Sequence, residues 1–265
     1  MRVYISADIE GTCGIVNWDE TNLNCAHSEY HKTQMTKEVK SACDGANKNN
    51  CDYILVKDAH DSARNINPSL LPTNVSLVRG WTNGPLIMMA GIDPTFDATI
   101  FIGYHSGASQ DGNPLSHTMN SSKYDYVKIN GEIATEFMVN AYTSAYFNVP
   151  VAFLSGDELL CKNAKKLNPN IVTVPVSKGI GNASISIHPD IALKNIKEGV
   201  EQALSGDLSR HLIKLPDSFD IEIKFKNHYD AYKASFYPKC KLINTQTISF
   251  STDDYYEFLR MFLFI

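Results

Sequence analysis

Ala98-Thr99-Ile100-Phe101-Ile102-Gly103-Tyr104 is the most apolar run in the chain, and His105 follows it at once. A short run rich in Ile and aromatic residues reads as a strand. The same reading applies before it to residues 3–7, 53–57 and 75–78, and after it to residues 149–155 and 171–176. Between these runs lie helical patterns. Residues 29–46 place Met35, Val39 and Ala42 or Cys43 on one face. Residues 85–90 read as a short helix with Pro at its start. Further helices run over 136–147 and 157–167, and another opens at His188-Pro189-Asp190 and continues to about residue 204. Strands alternating with helices predict an α/β fold, three-layered, with a largely parallel or mixed sheet.

Two stretches differ in character. Residues 124–129, Asn130-Gly131 and residues 132–133 read as a hairpin around an Asn-Gly turn. Beyond Gly206, residues 221–225 alternate apolar and charged, as a half-exposed strand does. Residues 242–250 are rich in Thr and Ile, and residues 253–265 read as an apolar helix needing a core or a partner surface. This end predicts a smaller C-terminal α+β part. The chain is expected to be one domain over residues 1–265, with a subdomain boundary near 180–210.

Composition narrows the function. The 265 residues are 43% hydrophobic and 20% charged, which excludes a mainly disordered chain. With 24 basic against 29 acidic residues, no basic excess is available for nucleic acid. No apolar run approaches the ~20 residues that span a bilayer. The opening MRVYISADIEG enters a strand without the apolar region of a signal peptide, so the cytoplasm is the expected compartment. Cys13, Cys25, Cys43, Cys51, Cys161 and Cys240 include no C-x-x-C pair and are expected to be reduced and mostly buried.

The strand ends carry the chemistry. The first strand ends in Ala7-Asp8-Ile9-Glu10-Gly11, where carboxylates two apart on an extended chain point to one side. The second ends in Lys57-Asp58-Ala59-His60-Asp61, and the most apolar strand in His105. Ligands of open parallel sheets bind beyond the carboxyl ends of the strands. Asp8, Glu10, Asp58, His60 and His105 are therefore expected along one edge. So many acids and imidazoles in one dry place call for a divalent cation. The mixed ligands suit zinc, and manganese or iron less well. Two metals ~3.5–4 Å apart need a bridging carboxylate and about five or six ligands. Asp8, Glu10, His60 and His105 with one further acid would serve. The plainer reading is solvated loop residues in ordinary ion pairs.

Other motifs carry less. His117, in Leu115-Ser116-His117-Thr118-Met119, is a proton shuttle or oxyanion stabiliser if it reaches the cluster, and otherwise an ordinary loop histidine. His27 and His31, four apart and close to Cys25, could share a metal or simply face solvent. Gly179-Ile180-Gly181 lacks the third glycine of the dinucleotide fingerprint and the Gly-Lys-Ser/Thr ending of a P-loop. There is no G-x-S-x-G elbow.

Taken in order, several blocks resemble the M55 family of metallopeptidases, the D-aminopeptidases of the dipeptide transport protein A type. The blocks are Ser6-Ala7-Asp8-Ile9-Glu10-Gly11, Met35-Thr36 with Glu38, Asp58-Ala59-His60, Gly91-Ile92-Asp93, and Phe101-Ile102-Gly103-Tyr104-His105. Ser116-His117-Thr118, Ile129-Asn130-Gly131, Glu136, Asn140-Ala141-Tyr142, Val149-Pro150-Val151 and Ser155-Gly156-Asp157 follow. The resemblance covers essentially the whole chain. It implies a two-zinc aminopeptidase that activates water to hydrolyse short peptides with an N-terminal D-residue of the D-Ala type. It maps the metal ligands onto Asp8, Glu10, His60, His105 and Glu136, and the catalytic histidine onto His117. Glu136 comes from the resemblance alone. Asp8 is chosen as the bridging ligand. The resemblance also implies a homo-oligomer, a decameric ring.

Departures from the family pattern stand at Lys57, Asp61, Thr135 and Asn182 and in a longer 105–117 loop. None removes a ligand, and the loop and Asn182 are expected to border the pocket. The competing readings are a two-metal hydrolase of another bond, such as a phosphoester, and a non-catalytic peptide-binding transport accessory. Scarce Lys and Arg near the ligand blocks weigh against a phosphate clamp.

Overall fold

The computed structural model describes residues 1–265. Its strands are β1 (Arg2–Ala7), β2 (Tyr53–Asp58), β3 (Val75–Val78), β4 (Ala98–Tyr104), β5 (Tyr124–Ile129), β6 (Glu132–Ile133), β7 (Val151–Asp157), β8 (Val172–Ile180), β9 (Ala183–Ser186), β10 (Phe219–Phe225), β11 (Lys241–Asn244) and β12 (Thr247–Thr252). The helices are α1 (Ser28–Asn47), α2 (Glu136–Tyr146), α3 (Glu158–Leu167), α4 (Pro189–Ala203), α5 (His228–Ala234) and α6 (Tyr255–Phe264).

A seven-stranded sheet runs β3-β2-β1-β4-β7-β8-β9. Every pairing from β3 to β8 is parallel, and β9 returns antiparallel on β8. Side chains alternate across it as strand geometry requires. Val3 and Ile5 point to a core shared with Met35, Val39 and Ala42 of α1 and Ile196 and Val200 of α4. Tyr4, Phe101 and Leu154 point to the opposite core, with Phe137 of α2 and Phe258 of α6. This gives the three layers expected.

The second sheet is antiparallel, in the order β11-β12-β10-β5-β6. Ile221 and Ile223 of β10 face the same core as Val127 and Ile129 of β5. The C-terminal strands thus pair with the Asn-Gly hairpin from mid-chain. The stretch rich in Thr and Ile, residues 242–250, falls in two strands. Asn244 and Gln246 lie at a turn that splits it into β11 and β12. Residues 85–90 hold only a single turn, Ile87–Met89, because Ile87 sits at φ +46° and breaks the α-helical course. The short β9 and α5 have no distinct signature in the sequence. The apolar tail finds its core within the chain, since Phe258, Met261 and Phe262 are buried.

Two glycines let the strand ends converge. Gly103 has φ +70°, and a Cβ there would collide with the Asp8 carbonyl oxygen. A Cβ at Gly11 would strike the Tyr104 carbonyl oxygen. The Gly11 amide donates to the Gly103 carbonyl at 2.8 Å. The loop carrying Asp8 and Glu10 is thereby laid directly against the strand that delivers His105.

Candidate metal centre

The strand order reverses at β1, which has β2 on one side and β4 on the other. A crevice opens beyond the carboxyl ends at such a point. Asp8 follows β1, His60 lies two residues beyond β2, and His105 follows β4. Glu136 opens α2, where the Thr135 hydroxyl caps the Met138 amide at 3.0 Å. The positive end of the helix dipole favours a carboxylate there.

The groups converge. His60 Nδ1 lies 3.3 Å from Asp8 Oδ1 and 3.1 Å from Glu10 Oε2. His105 Nε2 lies 3.5 Å from both Asp8 Oδ2 and Glu136 Oε2. His117 Nε2 lies 3.3 Å from Glu136 Oε1 and 4.0 Å from Glu10 Oε1. Asp8, Glu10, His60, His105 and Glu136 are all buried, and His117 is partly so.

Each imidazole is anchored by its other nitrogen. His60 Nε2 contacts the Thr21 carbonyl at 3.1 Å, His105 Nδ1 the Ser106 carbonyl at 2.8 Å, and His117 Nδ1 the Leu115 carbonyl at 2.9 Å. A carbonyl only accepts, so these nitrogens carry the protons. The nitrogens facing the carboxylates are then left to accept. Lone pairs facing lone pairs require a cation between them, either protons or metal. Asp8 Oδ2, Glu10 Oε2 and His105 Nε2 are buried with no hydrogen-bond partner. An imidazole fixed through its second nitrogen is the usual setting of a metal-ligating histidine. The residues therefore fit a pair of divalent cations. Asp8, Glu10 and His60 form one possible ligand group, Asp8, His105 and Glu136 a second, and Glu10, His105 and His117 a third.

The electrostatics follow from this crowding. Burial alone would raise the Asp8 carboxyl, but His105 and His60 override it and hold the group well below the usual range. Burial alone would lower both histidines. Glu10 and Asp8 push His60 well above its ordinary value, and Glu136 and Asp8 do the same to His105.

The sequence model of the M55 peptidases, described as D-aminopeptidase, matches residues 1–264. The chain belongs to the M55 family. It is 30% identical to the D-aminopeptidase of Bacillus subtilis (strain 168) over 261 residues, covering 97% of this chain and 93% of that protein. Its fold matches the Zn-dependent D-aminopeptidase DppA from Bacillus subtilis, described as a self-compartmentalizing protease, with a TM-score of 0.92 and 28% identity. That match covers 99% of this chain and 96% of the other. The α/β architecture and the aminopeptidase class expected from the sequence are those of the family.

Not every strand-end residue of this M55 chain joins the cluster. Asp58 turns away from it. Its carboxylate accepts the amides of Asn65 (2.6 Å) and Ile66 (2.8 Å) and the Asn65 side chain (3.0 Å). Asn65 in turn donates to the His60 carbonyl, so Asp58 shapes the loop that carries His60. His31 faces Glu20 at 3.5 Å, and His27 joins no group of metal-ligating side chains. Asp157 holds Ser106 through its amide and hydroxyl, both at 2.6 Å, and so fixes the residue after His105.

The cluster forms one wall of a cavity of about 530 Å³. Trp18, Trp81, Met88, Met119 and Lys123 line other parts of it. Trp18 and Met88 sit on single helical turns and Trp81, Met119 and Lys123 on loops, and tertiary packing brings them to the cavity. Trp18 meets the His117 ring edge-on at 5.2 Å. Lys57 is fully buried and donates to the carbonyls of Asp58 and Gly80. Its ammonium lies 4.3 Å from the Trp81 ring centroid, so it backs that wall from behind. Among the departures from the family pattern, Asp61 lines this cavity, whereas Asn182 is exposed on the turn from β8 to β9.

Proposed function

We propose that this M55 protein is a zinc-dependent D-aminopeptidase that hydrolyses short peptides with an N-terminal D-residue of the D-Ala type. The observation that carries the reading is the Asp8-centred cluster, in which two ligand groups share one carboxylate. Asp8, Glu10 and His60 would hold one zinc ion and Asp8, His105 and Glu136 the other, with Asp8 between them. Bound zinc at such a site polarises a carbonyl and makes water a usable nucleophile near neutral pH.

The chain supplies the rest. His117 keeps its Nδ1 proton on the Leu115 carbonyl and turns Nε2 toward Glu136 and Glu10. Nε2 can therefore take the proton that the attacking water loses and, once protonated, hand it to the leaving amine. Glu136 Oε1 is also fixed by the Met119 amide at 2.7 Å, which prevents it from swinging away. The cavity walls of Trp18 and Trp81 bound the room for the substrate side chain.

The family places neither a phosphoesterase nor a non-catalytic binding role ahead of this one. The pairing of β5 with β10 supports one folding unit across the whole chain. Tyr229, Tyr232 and Phe236 are exposed and form an aromatic surface that subunit contacts would cover. They support a homo-oligomer, and a decameric ring is the form we propose. No helix is long and apolar enough to cross a membrane. All six cysteines are unpaired, which suits a reducing cytoplasm.

The test is hydrolysis of D-Ala-D-Ala, L-Ala-L-Ala and p-nitrophenyl phosphate, each with zinc and with chelator. Zinc-dependent cleavage of the D-dipeptide alone is expected. Turnover of the phosphate ester instead would assign the protein to another hydrolase class.

A further inference from the structure

The reacting end of the cavity is lined by Asp8, Glu10 and Glu136, yet the cavity holds one Lys or Arg among its 18 lining residues, Lys123. Lys123 is half-buried, and burial pulls its ammonium below the usual range. Its hydrogen bond goes to the oxygen of Ile265, the last residue in the chain, at 2.5 Å, so a bound anion would share the ammonium with it through the remaining N–H donors. Asp230 attracts the ammonium and Lys233 repels it, both by charge at a distance. A partly desolvated cation on a cavity wall is a recognition group for an anion.

Its position is fixed relative to the cluster. The segment from His117 to Lys123 begins at the candidate proton donor and ends at this cation. It is pinned near its start by the Met119 amide on Glu136. Near its end, Lys226 holds it twice, through Nζ on the Ser121 carbonyl at 2.6 Å and through its amide on the Lys123 carbonyl at 2.9 Å. Met119 is held at φ +63° within this turn. A backbone tied at both ends fixes where the Lys123 side chain departs, and its contact with Ile265, itself a lining residue, holds the ammonium at the cavity wall.

A short peptide is itself bipolar, with a cationic amine at one end and a carboxylate at the other. Its residues span about 3.3–3.6 Å each when extended, so its carboxylate stays close to the scissile bond only in very short peptides. We propose that Lys123 binds the substrate's α-carboxylate, so that the enzyme selects very short peptides with a free C-terminal carboxyl group. This rests on the aminopeptidase reading above, and it adds the carboxylate as a second recognition element.

The experiment compares D-Ala-D-Ala with D-Ala-D-Ala amide on zinc-loaded protein, in wild type, Lys123→Met and Lys123→Arg. In wild type the acid is expected to be preferred by roughly 10-fold or more in kcat/KM, as a charge-assisted hydrogen bond provides. In Lys123→Met the ratio of acid to amide should collapse toward unity, chiefly through KM of the acid, and Lys123→Arg should restore much of it. An amide cleaved as well as the acid by wild type overturns the proposal, as does an unchanged ratio in Lys123→Met. Failure of the aminopeptidase reading looks different: zinc-loaded wild type would cleave neither substrate, and both inferences would fall together.

Discussion

His105 and His117 stack face to face, with ring centroids 4.3 Å apart and planes 8° from parallel. Both spend Nδ1 on a backbone carbonyl and both turn Nε2 toward Glu136. They differ in burial. His105 is sealed from solvent, while His117 borders the cavity. On the proposed reading, the buried ring would hold a metal and the cavity-facing ring would move a proton. His117→Ala should therefore lower kcat by roughly 10²–10⁴-fold while leaving zinc content unchanged. Steady-state kinetics and metal analysis on the same sample check this. A variant that loses zinc with its activity would make His117 a ligand instead.

The two Asp8-sharing groups predict unequal effects on metal content. His60→Ala should retain one zinc ion of two, because His105 and Glu136 remain with Asp8. Asp8→Asn should weaken both sites together. Mass spectrometry under native conditions reads the stoichiometry directly. Equal losses in the two variants would count against a shared carboxylate.

Glu38 gives a pH-dependent stability. It is fully buried on α1, accepting from the Cys13 amide at 3.0 Å and the Gln34 side chain at 3.1 Å, and burial pushes its carboxyl up to about 7. The folded state thus holds this proton more tightly than the unfolded chain. Its stabilising contribution is complete below the ordinary value of 4.5 and is lost as the pH rises through about 7. Glu38→Gln removes that loss. Thermal melts of metal-free protein should show the variant gaining on wild type between pH 5.5 and pH 8.5, by about 2 kcal/mol. A difference that is flat with pH would contradict the assignment.

Gly103→Ala should destabilise the protein by about 3 kcal/mol or more. The new Cβ would meet the Asp8 carbonyl in a backbone conformation that L-residues avoid. Relief of that clash would push the Asp8 loop off β4, so zinc affinity should fall along with the melting temperature. Unchanged zinc affinity in a destabilised variant would show that the close approach serves packing alone.

Much of the centre is legible in the sequence, for a physical reason. Asp8, His60 and His105 each follow a strand of one parallel sheet, and such strands deliver their ends to a common edge. Asp58 shows the limit of that rule. It also stands at a strand end, but its carboxylate is used up by the amides of its own loop. Glu136 opens a helix rather than ending a strand, so only family resemblance marks it. A Thr cap followed by an acid after a hairpin is the one local signal it carries. Trp18, Trp81 and Lys123 are invisible in the sequence because tertiary packing alone brings them to the cavity. In the fold, β5 and β6 read clearly as a hairpin. Their pairing with β10, which binds the C-terminal part to the middle of the chain, is a contact of long sequence separation that no local pattern encodes.

The most direct test of the Asp8-centred cluster is anomalous diffraction at the zinc edge from crystals of the zinc-loaded protein. Two peaks are expected, one among Asp8, Glu10 and His60 and one among Asp8, His105 and Glu136. They should be separated by about 3.5–4 Å, as in other two-metal hydrolytic sites. A single peak, or peaks outside this cluster, would contradict the two-metal assignment.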